Sequence, residues 1–226
     1  MPSKKSVTAT PFCKICHRKM EKNSFFNAVF TAKSICLRCF LSLKPTYYLW
    51  KENGIPFLAI YPYGPEFQSL IYQYKGCGDI ELSSCFLERV ERFFRLRFRG
   101  YRLVYAPSHQ NKIEERGFDH VPLMFADLRL MTLHTFVKTE DMKQSSLSKS
   151  ERRKVGKHIK LVDKKGIRGA KILLVDDIFT TGSTIRACLR LLLPLHPKKV
   201  FVLVMAKVPP PSKKPFSPTH RANMRA

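Results

Sequence analysis

The order of apolar and polar residues along the chain predicts an α/β domain. Runs that read as strands occupy residues 57–62, 101–106, 133–138, 171–177 and 200–208. Stretches with apolar residues at helical spacing occupy residues 65–75, 82–98, 121–131 and 183–195. The last strand, helix and strand make a βαβ unit, which is almost always right-handed within one sheet. We therefore expect a parallel sheet flanked by helices.

Changes in composition divide the chain into three parts. Residues 1–45 hold four of the seven cysteines and are expected to form a small zinc-finger module. Residues 55–208 carry the α/β pattern. Residues 209–226 contain prolines and basic residues but no acid, which predicts a disordered basic tail. Within the α/β part, residues 139–171 are polar and basic, so we expect a mobile loop there.

The charge balance indicates an anionic partner. The 41 Lys and Arg residues exceed the 17 Asp and Glu residues, leaving a formal net charge of +24. Such an excess attracts polyanions or an anionic membrane surface. Tyr101 and Tyr105 could stack on bases beside a cluster of arginines, for which a solvated helix face is the alternative interpretation. The cluster comprises Arg89, Arg92, Arg95, Arg97, Arg99 and Arg102.

The expected compartment is the cytoplasm. No apolar run approaches the ~18 residues that a membrane-spanning helix needs. The N-terminus also lacks the apolar stretch of a secretory signal. Cysteines that cluster in a reducing compartment favour metal binding over disulfides.

Four N-terminal cysteines have the spacing of a structural zinc site. Cys13 and Cys16 form one CxxC pair, and Cys36 and Cys39 form a second. Each pair can bind a metal from one tight turn, and four thiolates complete a tetrahedral shell. Because no coordination position stays open, we predict a structural rather than a catalytic Zn²⁺.

A phosphate site is predicted where the strand at 171–177 meets the following helix. Asp176 and Asp177 end the strand, at the edge where open α/β sheets bind ligands. Backbone N–H groups at a helix start and several hydroxyls suit one phosphate, and the carboxylates can accept hydrogen bonds from sugar hydroxyls. An ordinary N-capped turn requires only one hydroxyl. The phosphate loop comprises Thr180, Thr181, Gly182, Ser183 and Thr184.

This strand, acid pair and hydroxyl loop resemble the signature of type I phosphoribosyltransferases. The resemblance implies that Asp176 and Asp177 are catalytic and hold the ribose hydroxyls of phosphoribosyl pyrophosphate (PRPP). It also implies that residues 180–184 hold the 5′-phosphate and that Mg²⁺ bridges the pyrophosphate. The candidates for pyrophosphate and hood contacts are Ser108, His109 and Arg116 after a core strand, and Gln144, Arg152 and Arg153 in the basic loop.

Nearly the whole chain resembles the ComF competence family. The resemblance rests on the four-cysteine module, YKGCGD at 74–79, ERGFDH at 115–120, a Gln and Arg-Arg segment and LVDDIFTTGST. It implies a role in natural transformation, the uptake and processing of external DNA as a single strand. It also implies a DNA-translocating helicase as partner at the inner face of the membrane. Asp119 and His120 stand where the family usually has Asn and Gln.

Three classes of function stay open on the sequence. The first is a competence protein that binds PRPP and single-stranded DNA. The second is a metabolic phosphoribosyltransferase that acts on a free base, and the third is a non-catalytic docking partner of the helicase. The complete acid pair and hydroxyl loop favour a retained glycosyltransferase-type site. The sequence establishes neither turnover nor the acceptor.

Overall fold

A computed structural model of the protein describes residues 12–20, 34–139 and 159–208. The strands are β1 (Tyr48–Glu52), β2 (Ile55–Pro62), β3 (Tyr101–Tyr105), β4 (Thr132–Leu133), β5 (Phe136–Lys138), β6 (Ile159–Leu161), β7 (Lys171–Phe179) and β8 (Lys199–Lys207). The α-helices are α1 (Leu37–Ser42), α2 (Pro65–Lys75), α3 (Glu91–Arg97), α4 (Gln110–Arg116), α5 (His120–Met124) and α6 (Ser183–Leu192). Short 3₁₀ helices cover Ile80–Cys85, Ala126–Leu128 and Leu193–Leu195.

Six strands form the main sheet in the order β1-β2-β8-β7-β3-β4. β1 pairs antiparallel with β2, and every other neighbouring pair in this sheet is parallel. β5 and β6 form a separate antiparallel pair. The predicted α/β architecture with a mainly parallel sheet is therefore confirmed.

The central strands are buried on both faces, which explains their continuous apolar runs. Along β7, Leu173 and Val175 belong to one hydrophobic cluster, whereas Ile172 and Leu174 belong to the other. Successive side chains of a strand point to opposite faces, so each face requires its own apolar set. The sheet is thus a rigid layer whose carboxyl edge can hold polar residues in fixed positions.

The four-cysteine module packs against the α/β domain. Phe40 and Leu43 are buried in the same cluster as one face of the sheet. Arg89 donates to the carbonyl oxygens of both residues, at 2.8 Å and 3.3 Å, and its guanidinium lies 4.7 Å from the Phe40 ring centroid. Lys14 and Glu81 add an ion pair of 3.0 Å. The module therefore shares its hydrophobic core with the rest of the protein.

The stretch 82–98, predicted as one helix, contains two helical segments. The 3₁₀ helix Ile80–Cys85 packs against α2 and α5, whereas α3 packs against the 3₁₀ helix Ala126–Leu128. Both segments bury apolar residues at similar spacing, so the hydrophobic pattern alone does not reveal the break between them.

The strand predicted at 133–138 is also divided. Leu133, its first residue, belongs to β4 of the main sheet. Its last three residues, 136–138, form β5, which pairs with β6. The loop predicted at 139–171 accordingly contains β6, a three-residue strand that depends on pairing with β5. The predictions for 140–158 and for the tail 209–226 lie outside the described residues.

Candidate active site

A polar cavity of about 230 Å³ opens at the carboxyl ends of β3 and β7. Parallel strands deliver their last residues to the same edge, which is where such sheets bind ligands. Both acids of the predicted site reach the cavity, together with residues from the loop after β3 and from α2, α4, α5 and β5. Its polar lining residues are Lys75, Ser108, His109, Lys112, Arg116, His120, Lys138, Asp176, Asp177 and Thr184.

The hydroxyl loop connects β7 to α6 through a tight turn. Gly182 has a φ of 71°, in the left-handed region, and a Cβ on it would lie 2.5 Å from Phe179 Cζ. The position therefore requires glycine on both conformational and steric grounds. Thr181 Oγ1 donates to Ser183 Oγ at 3.2 Å, and Thr184 lines the cavity.

Arg186 anchors the same loop from the first turn of α6. Its guanidinium donates to the Thr181 carbonyl oxygen and forms two bonds to Glu52, with Nε–Oε2 at 2.8 Å and Nη2–Oε1 at 3.0 Å. A bidentate pair of this kind fixes orientation as well as position. The edge strand β1, which supplies Glu52, thus supports the loop from outside the cavity.

Asp177 is held by two partners inside the protein. Its Oδ2 accepts from Lys75 Nζ at 2.5 Å and from His120 Nε2 at 3.0 Å, and its Oδ1 accepts from the Ile178 N–H at 2.6 Å. Burial opposes ionisation of this carboxyl, but the His120 hydrogen bond and the Lys75 charge outweigh it. Together they hold the pKa of Asp177 well below its ordinary value. Both carboxylate oxygens are therefore engaged.

The contacts of His120 define its tautomer. Arg116 Nη1 lies 2.9 Å from His120 Nδ1, and a guanidinium can only donate. Nδ1 is therefore the acceptor, and Nε2 carries the hydrogen that is donated to Asp177. Arg116, His120, Asp177 and Lys75 form one continuous polar chain across the cavity.

Asp176 is in a different electrostatic state from its neighbour. Its Oδ1 accepts from the Asp177 N–H at 2.9 Å, and the side chain is partly buried at the cavity. Burial, reinforced by the adjacent negative charge of Asp177, holds the pKa of Asp176 well above its ordinary value. The two carboxyl groups of the acid pair are thus not equivalent.

Three of the upstream candidates line the cavity. Ser108 Oγ donates to Asp119 Oδ1 at 2.9 Å, His109 precedes the first turn of α4, and Arg116 also donates to the Lys75 carbonyl oxygen at 3.2 Å. Gln144, Arg152 and Arg153 lie outside the described residues. The hood predicted from these three residues stays a prediction.

Several cavity residues were not among the sequence candidates. Lys75 and His120 hold Asp177, and Lys112 and Lys138 add positive charge to the lining. Lys75 lies in the YKGCGD segment and His120 in ERGFDH, so both were inside motifs noted for their family resemblance. Their role depends on contacts that span 102 and 57 residues of sequence, which local spacing does not predict.

The four predicted metal ligands come together. The Sγ atoms of Cys13, Cys16, Cys36 and Cys39 all lie within 4.8 Å of one another. A tetrahedron of Zn–S bonds of ~2.3 Å has sulfur atoms separated by about 3.8 Å, and Cys16 Sγ lies 3.7 Å from Cys36 Sγ. The cluster therefore fits a tetrahedral metal ion.

The structure separates the arginine cluster predicted to contact DNA. Arg89 is engaged with the four-cysteine module, and Arg97 packs over the rings of Phe98 and Phe201. Tyr101 is buried, so its ring is not presented for stacking on bases, whereas Tyr105 is partly buried with its ring edge-on to His134. Arg92, Arg95, Arg99 and Arg102 line a separate groove.

Comparison with known proteins agrees with this architecture. The family model of the phosphoribosyl transferase domain matches residues 129–218. The solved structures that match the chain include an adenine phosphoribosyltransferase, with 15% identity, 75% of this chain and 89% of that chain covered, and a TM-score of 0.37. A hypoxanthine phosphoribosyltransferase from Staphylococcus aureus has 12% identity, 56% and 73% coverage, and a TM-score of 0.36.

Two curated relatives cover much of the chain. Competence protein ComFC of Streptococcus pneumoniae (strain ATCC BAA-255 / R6) is 31% identical over 161 residues, which is 70% of this chain and 72% of the relative. Competence protein ComFC of Bacillus subtilis (strain 168) is 28% identical over 137 residues, or 60% and 57%.

The domain match, the parallel sheet and the acid pair beside the hydroxyl loop define a protein of the type I phosphoribosyltransferase fold with an N-terminal four-cysteine cluster. Within that class, the chain belongs to the ComFC family of competence proteins. No helix in the described part of the chain is long and apolar enough to cross a membrane.

Proposed function

We propose that the protein binds PRPP in the cavity at the carboxyl edge of the sheet. The observation that carries this proposal is the position of Thr184 and both acids in one cavity with Lys75, Lys112, Arg116 and Lys138. The hydroxyl loop at 180–184 takes the 5′-phosphate, because a helix start offers free backbone N–H groups and Thr184 of this loop lines the cavity. The cationic side chains take the pyrophosphate.

We assign the two acids different roles. Both oxygens of Asp177 already accept hydrogen bonds, so Asp177 orients the loop and the polar chain. Asp176 lines the cavity with one oxygen bonded to a backbone N–H, and it receives the ribose hydroxyls. Departure of pyrophosphate builds positive charge on the ribose ring, which a nearby carboxylate stabilises.

Magnesium fits this donor set. Burial and Asp177 favour the protonated form of Asp176, but a bound Mg²⁺ would favour its ionised form, which offers the hard oxygen ligand that Mg²⁺ prefers. A bound PRPP would add phosphate oxygens. When bound, Mg²⁺ supplies positive charge that neutralises the pyrophosphate. Arg116 is oriented by His120 and by the Lys75 carbonyl oxygen, so its guanidinium is held in position before any ligand arrives.

Calorimetry of PRPP with MgCl₂ tests the assignment. Asp176→Asn and Thr181→Ala should each weaken binding by roughly ten- to a hundredfold, because each removes a hydrogen bond in which one partner, the Asp176 carboxylate or the phosphate, is charged. Glu66→Gln and Thr46→Ala make the same chemical changes at exposed positions away from the cavity lining and should bind like the wild type. Undetectable wild-type binding at millimolar PRPP would refute the assignment, as would equal affinities in all five proteins.

Release of pyrophosphate distinguishes catalysis from binding alone. We propose that the site transfers the phosphoribosyl group, since Asp176, the cationic side chains of Lys75, Lys112, Arg116 and Lys138, and Thr184 line one cavity. Pyrophosphate formation from PRPP should be detectable and should fall in Asp176→Asn. Tight PRPP binding with no pyrophosphate release, in the presence and absence of oligonucleotide or free bases, would favour a purely regulatory or docking role.

We further propose that the protein acts in natural transformation, together with single-stranded DNA and a helicase of the competence machinery. The relatives named above support a competence-related role, and the net charge of +24 supports binding to a polyanion. Zn²⁺ in the four-cysteine cluster would stabilise the module that packs beside the sheet. Recruitment to the inner face of the membrane would occur through these partners.

A salt series with labelled single-stranded oligonucleotide tests the DNA proposal. The logarithm of the binding constant should fall linearly with the logarithm of the salt concentration, with a slope of about −0.7 for each phosphate neutralised. Substituting one oligonucleotide sequence for another should change the affinity little. An affinity that does not change with salt, or no binding at low salt, would refute the DNA proposal and indicate that the basic surface binds another partner.

A further inference from the structure

A groove in the described part of the chain lies at the opposite edge of the sheet from the candidate active site. It has a volume of about 730 Å³ and is formed where β3 and β4 begin, whereas the cavity that contains Asp176 lies where β3 and β7 end. Its wall is α3 and the segment that follows Leu128. Residues on both sides are arginines, namely Arg92, Arg95, Arg99, Arg102 and Arg129.

Among the described residues, few acidic side chains neutralise this positive charge. Within the described residues, Arg95 has an ion pair, to Glu91 at 3.1 Å, and Arg102 donates to the Gly166 carbonyl oxygen. Arg92, Arg99 and Arg129 form no ion pair within these ranges, and all three are exposed. Asp127 is near Arg129 and Arg95, but its charge is small compensation for five guanidinium groups.

The apolar part of the groove is aliphatic. Leu96 is 77% exposed and Met131 is 66% exposed, and both line the groove beside the partly buried Leu130. Exposed Leu and Met side chains next to arginines are typical of the centre of a protein interface. Tyr101, the one aromatic lining residue, is only 6% exposed, so the groove lacks the ring faces on which single-stranded nucleic acid stacks.

We infer that this groove binds an acidic peptide segment of a partner protein, with carboxylates on the arginines and aliphatic side chains on Leu96 and Met131. Charge excludes two nearer occupants. A second copy of the chain brings another +24, and the segment 209–226 is itself basic. The proposal is independent of PRPP, because the two sites lie at opposite edges of the sheet.

The probe is a labelled synthetic peptide of sixteen residues, rich in Glu and with Leu at helical i, i+4 spacing, measured by fluorescence anisotropy. Poly-glutamate and oligo-dT of the same length serve as comparison probes. The Leu-containing peptide should bind the full-length wild type at least tenfold more tightly than poly-glutamate does. Leu96→Ser with Met131→Ser should reduce that affinity by roughly tenfold, since a side chain loses its buried apolar contact.

Matched variants separate specific contact from general attraction. Arg92→Ala with Arg99→Ala should weaken every probe, whereas Arg190→Ala with Leu193→Ser removes one charge and one exposed apolar side chain from the distant α6 region and should leave peptide binding unchanged. Asp176→Asn should also leave it unchanged. Insensitivity to the Leu96 and Met131 changes would overturn the proposal. Two results together would overturn it in favour of DNA. Oligo-dT would displace the peptide from the wild type, and the arginine variant would lose more affinity for oligo-dT than for the peptide.

Discussion

Replacing Lys75 by Met removes one of the two side chains that bind Asp177 Oδ2 at the cavity. Lys75 Nζ lies 2.5 Å from that oxygen, and His120 Nε2 lies 3.0 Å from it. Methionine keeps the length and most of the apolar stem but removes the charge and the hydrogen bond. The remaining partner, His120, still donates one hydrogen bond to this oxygen.

The expected loss of stability is about 2 kcal/mol. Removing one partner of a fully buried ion pair costs about 3–5 kcal/mol, and a solvent-exposed pair contributes about 0–1 kcal/mol. The Lys75 side chain is 30% exposed and that of Asp177 is 11% exposed, so this pair lies between the two limits. The bond from His120 reduces the loss further, because the carboxylate is not left without a donor.

The pH dependence of this loss has a defined sign. The pKa of Asp177 is lower in the folded protein than in the unfolded chain, so its contribution to stability is present above the unfolded pKa of about 4. That contribution is lost as the pH falls through the folded pKa. The stability difference between wild type and Lys75→Met should therefore be constant from about pH 7 to pH 5 and narrow below about pH 4.

Urea unfolding followed by fluorescence, over this pH range, measures the difference. Lys112→Met is the matched control, because Lys112 lines the same cavity and is exposed, without an ion pair among the described residues. It should change the unfolding free energy by less than about 0.5 kcal/mol. Equal effects of the two substitutions, or a difference that widens in acid, would refute the reasoning.

Three further predictions concern the metal and the packing. The purified protein should contain one Zn per chain, and Cys36→Ser should abolish it, whereas a folded, metal-free wild type would contradict the assignment. Gly182→Ala should lower stability by about 2–4 kcal/mol in urea unfolding, from backbone strain and the clash with Phe179, and should weaken PRPP binding. Gly100→Ala is the control, because Gly100 also has a positive φ but no atom lies near a Cβ added there. An equal loss of stability in the two variants would count against the clash with Phe179. Arg89→Met should accelerate proteolysis of the four-cysteine module, and an unchanged cleavage rate would show that the module is held by other contacts.

The local sequence was sufficient to predict the four-cysteine cluster and the turn that carries the hydroxyls between β7 and α6, whereas phosphate binding by that turn stays a prediction. In both cases the chemistry depends on residues close together in the chain: an acid pair and hydroxyls within 176–184, and two CxxC pairs. The strands at 101–106, 171–177 and 200–208 could also be predicted from the sequence, because burial on both faces requires continuous apolar runs. The parallel pairing of β7 with β8 followed from the βαβ pattern, whereas the pairing of β3 with β7 was not predicted.

Tertiary structure alone decided how those residues work together. Local spacing does not reveal that Lys75 and His120 both reach Asp177, since the contacts cross the chain from α2 and α5 to β7. For the same reason it does not reveal which arginines are engaged and which line an open groove. A hydrophobic pattern reports which side chains leave water, but partners distant in sequence meet only when the sheet, the helices and the four-cysteine module pack into one core.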